Sequence, residues 1–190
     1  MKKDIIIAGV GGQGIVSIAA TIGYAAVAQD LFFKQSEVHG MSQRGGAVQS
    51  HFRLSSNPIY SDLIPKGKAD IIISVEPMES LRYIEWLSPD GWLITNTEPY
   101  INIPDYPPLD DLLQTINNYK NVRAFNADKI AKEIGSSKSA NMVVLGAAVP
   151  FLDINPEEFE QAIEILFSRK GDSVVQKNIE ALRKGIELSK

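Results

Sequence analysis

Apolar positions fall into two patterns along the chain: short unbroken runs, and longer stretches in which they recur every three or four residues. The runs predict buried strands. Asp4–Ala8 carries three consecutive isoleucines and ends at a glycine. Asp70–Val75, DIIISV, is a second such run. WLITN at 92–96, entered through a turn at Asp90-Gly91, and VRAFN at 122–126 are two more, and Leu31–Lys34 is a short one. Residues 47–54, AVQSHFRL, alternate instead. Val48, Phe52 and Leu54 point one way, and Gln49, His51 and Arg53 the other, as on a half-buried strand. SSNP follows, so Ile59–Ser61 is expected to return as a hairpin partner.

The stretches with helical spacing lie between these runs. Residues 13–29 place Ile15, Ile18, Ile22 and Ala26 on one stripe. Pro77 is suited to open a helix over MESLRYIEWL, because its missing N–H has no partner to lose there. DLLQTI is a short helix. The last third predicts helices at Ala127–Ile134, Ala140–Phe151, Pro156–Ser168 and about Asp172–Ser189. Gly146-Ala147-Ala148 within them suggests close helix packing. Strands alternating with helices predict a Rossmann-like open sheet, mostly parallel, with flanking helices and one antiparallel hairpin element. We expect one domain over residues 1–190.

Composition narrows the function classes. Of 190 residues, 44% are hydrophobic and 22% charged, ordinary for a globular protein. A net charge of −4 argues against a nucleic-acid or anionic-membrane surface. No run approaches the roughly 18 apolar residues of a membrane span, and the N-terminus lacks the features of a signal peptide. The chain contains no cysteine. Disulfides, cysteine-ligated clusters and cysteine nucleophiles are excluded, and a cytoplasmic setting is expected.

Two stretches carry candidate chemistry. Gly9-Val10-Gly11-Gly12-Gln13-Gly14 matches G-x-G-x-x-G, with a strand before it and a helix after it. Either these glycines let a backbone approach a phosphate at the helix N-terminus, or they serve only the tight strand-to-helix turn. The dinucleotide fingerprint would continue with an acid at the end of the second strand. Here the first acid is Glu37, beyond the predicted strand, in SEVHGMSQRGGAVQSHFR at 36–53. That stretch holds both histidines and Gly45-Gly46 beside Arg44, which can present a guanidinium and bare N–H groups to an anion. It is otherwise a solvated loop. In a doubly wound sheet, a loop leaving a strand's carboxyl end lines the ligand crevice, so it is expected beside the glycine loop. His39 is a candidate base without a partner selected by the sequence. His51 reads as a structural or surface histidine. Either Ser139 or Asn141 is expected to cap the helix that starts there, or Asn141 faces a neighbour or ligand. No metal site is expected.

GVGGQG, SEVHGMSQRGGAV, ADKIAKEIG, NMVVLGA and KNIEALRKG, in that order from about residue 4 to 187, resemble the gamma-type subunits and domains of the 2-oxoacid:ferredoxin oxidoreductases. Within that family SEVHGMSQRGG most resembles the indolepyruvate branch. The resemblance implies a small subunit that is not active alone. The reaction would be oxidative decarboxylation of an aryl pyruvate to an acyl-coenzyme A, with electrons passed to ferredoxin under anaerobic conditions. It implies a larger alpha subunit holding thiamine diphosphate, magnesium and iron–sulfur clusters, and coenzyme A handling at the interface. Carried onto this chain, the cofactor-binding positions are Gly9, Gly11, Gly12, Gln13, Gly14, Arg44, Gly45 and Gly46. Glu37, His39, Gly40 and Asn141 are interface or substrate-loop positions. No catalytic residue is assigned. Three alternatives stand beside this reading: a free-standing NAD(P)-binding oxidoreductase or sensor, the gamma subunit of a pyruvate or 2-oxoisovalerate enzyme, and a pure assembly subunit. A homo-oligomer of the isolated chain is also open.

Overall fold

The computed structural model describes residues 1–40 and 45–189. Six strands form one sheet among these residues: β1 (Lys2–Val10), β2 (Phe32–His39), β3 (Ala47–Ser55), β4 (Ala69–Ser74), β5 (Leu87–Asn96) and β6 (Val122–Phe125). Their order is β2-β3-β1-β4-β5-β6. β1, β4, β5 and β6 run parallel. β3 is antiparallel to both β1 and β2.

Helices cover both faces. On one lie α1 (Ile15–Ala28), α4 (Ala127–Glu133), α5 (Ala140–Ala148), α6 (Pro156–Phe167) and α7 (Asp172–Leu188), packed on Ile5, Ile7, Ile71, Ile73 and Ile94. On the other lie α2 (Pro77–Arg82) and α3 (Leu109–Asn117), packed on Ile6, Ile72 and Leu93. The isoleucine runs of β1 and β4 are thus buried on both sides, which is why they read as unbroken rather than alternating. Each such side chain withdrawn from water stabilises the fold by about 1.5–3 kcal/mol.

The expected sheet is present, with three local corrections. The second strand is longer than Leu31–Lys34: it runs to His39, and Glu37 lies inside it. The antiparallel hairpin is β2–β3, joined through residues 40–46, while Ile59–Ser61 forms no strand. Phe33 stacks on Phe52, its diagonal neighbour across the two strands, with ring centroids 5.4 Å apart. The segment after β3 instead covers His51 and Arg53. Asp90-Gly91 is no turn before a strand. It is an irregularity within β5, where the register against β4 shifts and Gly91 lies against the Ala69 and Asp70 carbonyls. The helix after Pro77 ends at Arg82, and a single 3-10 turn leads straight into β5.

α5 and α7 meet backbone to backbone. A Cβ on Gly146 would lie 2.1 Å from the Leu182 carbonyl oxygen, and one on Gly185 would lie 2.1 Å from that of Val143. The expected close packing at Gly146 is therefore real, and its other half is Gly185.

The connections set the position of the site. β1 feeds α1 on one face, and its neighbour β4 feeds α2 on the other. The carboxyl ends of β1 and β4 are therefore the place where an open α/β sheet splits into a crevice.

Candidate functional site

Two clefts open at this end of the sheet, and Gly12 lines both. The first, about 390 Å³, lies between the glycine loop, the start of α1 and the β2–β3 hairpin. Glu37 and His39 project into it from β2 beside Val48 of β3, and Ile15 and Val16 close the other side. Glu37 and His39 share the face of Phe33, which packs on Gly23 of α1. They are two apart on a strand, and that spacing is what brings both to one wall.

The glycine loop is held from within. The Val10 N–H donates to Gln13 Oε1 at 2.8 Å, and the Gln13 N–H to the Val10 carbonyl at 3.1 Å. Gln13 Nε2 reaches the Val75 carbonyl at 3.4 Å, so this side chain staples β1 to β4 across the crevice. A Cβ on Gly9 would lie 2.4 Å from Val75 Cγ2, which makes Gly9 a packing glycine. The Gly11 N–H donates to the Gly46 carbonyl at 2.8 Å, and the Gly45 N–H to the Gly11 carbonyl at 3.2 Å. The expectation that Gly11 offers its N–H to an anion fails on this point: the hairpin loop takes it. Among the described residues, the Gly12 and Gly14 N–H groups make no backbone hydrogen bond outside the helices and strands, while the Ser17 and Ile18 amides of α1 donate to the Gly14 carbonyl. Gly14 itself has φ +86°, and a Cβ there would meet Asn141 Nδ2 at 2.4 Å. The position is closed to side chains on both counts.

The other motif positions are placed as follows. Gly45 and Gly46 touch the glycine loop, and the Gly45 carbonyl also accepts from Asn102 Nδ2 at 2.6 Å. Gly40 follows His39 at the end of β2 and does not line the first cleft. Arg44 lies outside the described residues. Asn141 is separated from Glu37 and His39. It belongs to the second cleft, and its Nδ2 donates to the Gly14 carbonyl at 3.2 Å. It is not a cap for α5, and Ser139 is no side-chain cap either: the Ser139 hydroxyl pairs with that of Ser136 at 2.7 Å.

The second cleft, about 420 Å³, is more polar and is lined by Asn96, Tyr100, Asp128, Ser137, Lys138 and Asn141. Asn96 is fully satisfied. Its Nδ2 donates to the Val75 carbonyl and to Asp128 Oδ2, and its Oδ1 accepts from the Ala127 and Glu98 amides. Of these residues only Asn141 was singled out from the sequence. A signal did exist: each parallel strand after β1 runs out into a polar residue at its carboxyl end, Glu76 past β4, Asn96 on β5 and Asn126 past β6.

Glu76 is wholly buried and caps α2. It accepts from the Glu79 amide at 2.8 Å, from the Tyr100 amide at 3.3 Å and from the Tyr106 hydroxyl. Burial, then the Glu76 carboxylate, pushes the Tyr106 hydroxyl far above the usual phenol range. This anchors the 98–108 segment, which in turn holds the hairpin loop through Asn102. Glu79 is also buried, with one oxygen on Arg82 at 2.9 Å and the other unpartnered. Burial raises its pKa against the opposing pull of Arg82.

Among the described residues no group of three or more histidine, aspartate or glutamate side chains is placed to hold a metal. None of the described helices is long and apolar enough to cross a membrane.

Comparison with known proteins agrees with this architecture. Residues 4–188 match the family model described as pyruvate ferredoxin/flavodoxin oxidoreductase. The chain is 36% identical to the indolepyruvate oxidoreductase subunit IorB of Methanothermobacter thermautotrophicus, over 97% of this chain and 96% of that one. It superposes with a TM-score of 0.71 on the gamma subunit of a keto/oxoacid ferredoxin oxidoreductase from Geobacter sulfurreducens PCA, at 26% identity and over 98% of each chain. It also matches a 2-oxoglutarate:ferredoxin oxidoreductase from Magnetococcus marinus, solved with 2-oxoglutarate, coenzyme A and succinyl-CoA bound. There the TM-score is 0.77 and the identity 24%, over 99% of this chain but only 31% of the longer one. The chain belongs to the pyruvate ferredoxin/flavodoxin oxidoreductase family, as one of its small subunits. The expected α/β fold and oxidoreductase-subunit class are both borne out.

Proposed function

We propose that the chain, a single unit over 1–190, works in the cytoplasm as the small subunit of an indolepyruvate-type 2-oxoacid:ferredoxin oxidoreductase. It contributes the wall of a coenzyme A site at the junction with its larger partner. The partner carries the thiamine diphosphate, magnesium and iron–sulfur clusters, because this chain has no cysteine to ligate a cluster. Coenzyme A supplies the thiol that accepts the acyl group, and ferredoxin takes the electrons through the assembled enzyme.

The observation that carries this reading is the joined pair of loops. The Gly11–Gly46 and Gly45–Gly11 hydrogen bonds make one rim, and Gly12 and Gly14, at the positive end of a 14-residue helix, line the cleft beside it. Such an end attracts phosphate. Ile15, Val16 and Val48 give the same cleft an apolar side suited to the aliphatic arm of the carrier. Arg44 would add a guanidinium to the phosphate or to a partner carboxylate. Glu37 and His39 would hold a polar group of the substrate loop or the partner. The dinucleotide alternative lacks its ribose clamp: Glu37 sits within β2 on an edge strand separated from β1 by β3.

The test is to co-express this chain with its genomic neighbour and to follow coenzyme-A-dependent reduction of a viologen dye. Indolepyruvate, phenylpyruvate and pyruvate are assayed in parallel. Activity in the pair, none in either chain alone, and preference for the aryl pyruvates are expected. A neighbour that neither binds nor gives activity would contradict the reading.

A further inference from the structure

Glu76 is an unusual helix cap. Ser, Thr, Asp and Asn are the preferred caps, whereas α2, six residues long, is capped by a glutamate. The side chain is wholly buried, and among the described residues it forms no ion pair: Arg82, on the same helix, is taken by Glu79 at 2.9 Å. A buried carboxylate without a cation is costly and must be held by donors. Its two oxygens divide the work. Oε2 accepts from the Glu79 amide at 2.8 Å, which is all that the cap requires. Oε1 is given to the 98–108 segment: it accepts from the Tyr100 amide at 3.3 Å and from the Tyr106 hydroxyl.

That segment has no helix or strand of its own. Tyr100, Ile101 and Ile103 stand exposed on it, so core packing does little to fix its path. Its far tether is Asn102, whose Nδ2 donates to the Gly45 carbonyl at 2.6 Å. The hook is made at a cost, because Asn102 Oδ1 is buried without a partner among the described residues. A costly tether stays engaged only while a neighbouring one holds the segment in place. That neighbour is Glu76 Oε1. Gly45 and Gly46 in turn exchange hydrogen bonds with Gly11 at the rim of the first cleft. A continuous path therefore runs from the buried carboxylate to the rim.

We propose that Glu76 and Tyr106 are positioning residues for the first cleft: their hydrogen bond holds the 98–108 segment as a strap, and the strap sets where Gly45 and Gly46 stand against the glycine loop. This role rests on the reading of that cleft as the coenzyme A wall. Neither side chain lines the cleft, so their effect on the carrier passes through the strap.

Tyr106→Phe tests it, because it removes the hydroxyl and keeps the ring. Amide hydrogen exchange is followed in the full chain, and the holoenzyme is assayed with coenzyme A and the 2-oxoacid varied separately. Exchange at Gly11 and Gly45 should accelerate about fivefold or more, while the α5–α7 contact stays protected. The KM for coenzyme A should rise by about fivefold, with kcat and the KM for the 2-oxoacid unchanged, a split that loss of folded protein does not produce. Asn102→Ala cuts the same path from its other end. It should reproduce both changes, and combining it with Tyr106→Phe should add little. Unchanged exchange at Gly11 and Gly45 overturns the proposal. So does an unaltered coenzyme A KM in an enzyme whose KM does respond to Val16→Asp, a substitution in the first cleft itself. If neither Tyr106→Phe nor Val16→Asp moves that KM, the proposed function fails, and this role with it.

Discussion

The Gly11 amide donates to the Gly46 carbonyl at 2.8 Å, joining two loops that lie 35 positions apart in the sequence. It continues the β1–β3 ladder one step past the Val10–Ala47 pair. The glycine loop therefore continues a strand pair and is tied to the hairpin. Asn102 then fastens the hairpin to the 98–108 segment, which Tyr106 fastens to Glu76. Residues from four separate parts of the chain thus hold one rim in place.

Gly185→Ala is expected to destabilise strongly. The added methyl would lie 2.1 Å from the Val143 carbonyl and 2.8 Å from the Gly146 Cα, both backbone atoms that cannot rotate away. α5 and α7 must separate, and overpacking of this kind costs about 1–3 kcal/mol or more. Urea unfolding monitored by circular dichroism measures it. A midpoint within error of wild type would show that the two helices do not meet as described.

Arg53→Met should cost about 3–5 kcal/mol, because it strands a buried carboxylate. Asp4 is 1% exposed and takes two hydrogen bonds from Arg53, at 2.7 and 3.2 Å. Lys2 also reaches Asp4 but is itself largely exposed, so it compensates little. Arg53 further ties the Ser61 and Leu63 carbonyls to the sheet. The double variant Arg53→Met, Asp4→Asn should recover part of the loss, and a double-mutant cycle by chemical denaturation reads the coupling.

His51 makes stability depend on pH. Its Nδ1 accepts from the Ile64 amide at 3.0 Å, and its Nε2 lies 2.8 Å from the Gln49 Nε2. Burial lowers its pKa, with Arg53 adding to the shift and Asp62 opposing it. A histidine with a depressed folded pKa binds its proton more readily when unfolded. Stability is therefore lost as pH falls from the unfolded value near 6.5 towards the lower folded one. His51→Gln should flatten the fall in melting temperature between pH 7 and pH 5. Parallel curves for the variant and wild type would refute the assignment.

The sequence carries the sheet plainly in its isoleucine runs, because strands buried on both faces need no alternation to be recognised. It misplaces the end of β2, where Lys34, Gln35 and Glu37 look like loop. They are polar because β2 is an edge strand with one side open to solvent. His51 is legible as structural from its strand position, and its Ile64 partner is not, since that contact spans a loop without regular structure. The first cleft is foreshadowed by its two glycine motifs, but the loss of the Gly11 amide depends on a pairing between distant loops. The second cleft is invisible locally. Asn96, Asp128, Lys138 and Asn141 come together only once the carboxyl ends of the parallel strands are aligned.

Val16→Asp tests whether the first cleft, as proposed, holds an anionic part of coenzyme A in the assembled enzyme. Val16 is exposed, lines that cleft and lies in the first turn of α1, where an acid favours the helix. In the holoenzyme, the apparent KM for coenzyme A should rise about tenfold or more from charge repulsion at a helix end. The KM for the 2-oxoacid and the association of the subunits should stay unchanged. An unaltered coenzyme A KM, with or without weakened association, would contradict the account and leave the glycine loops a purely structural and assembly role.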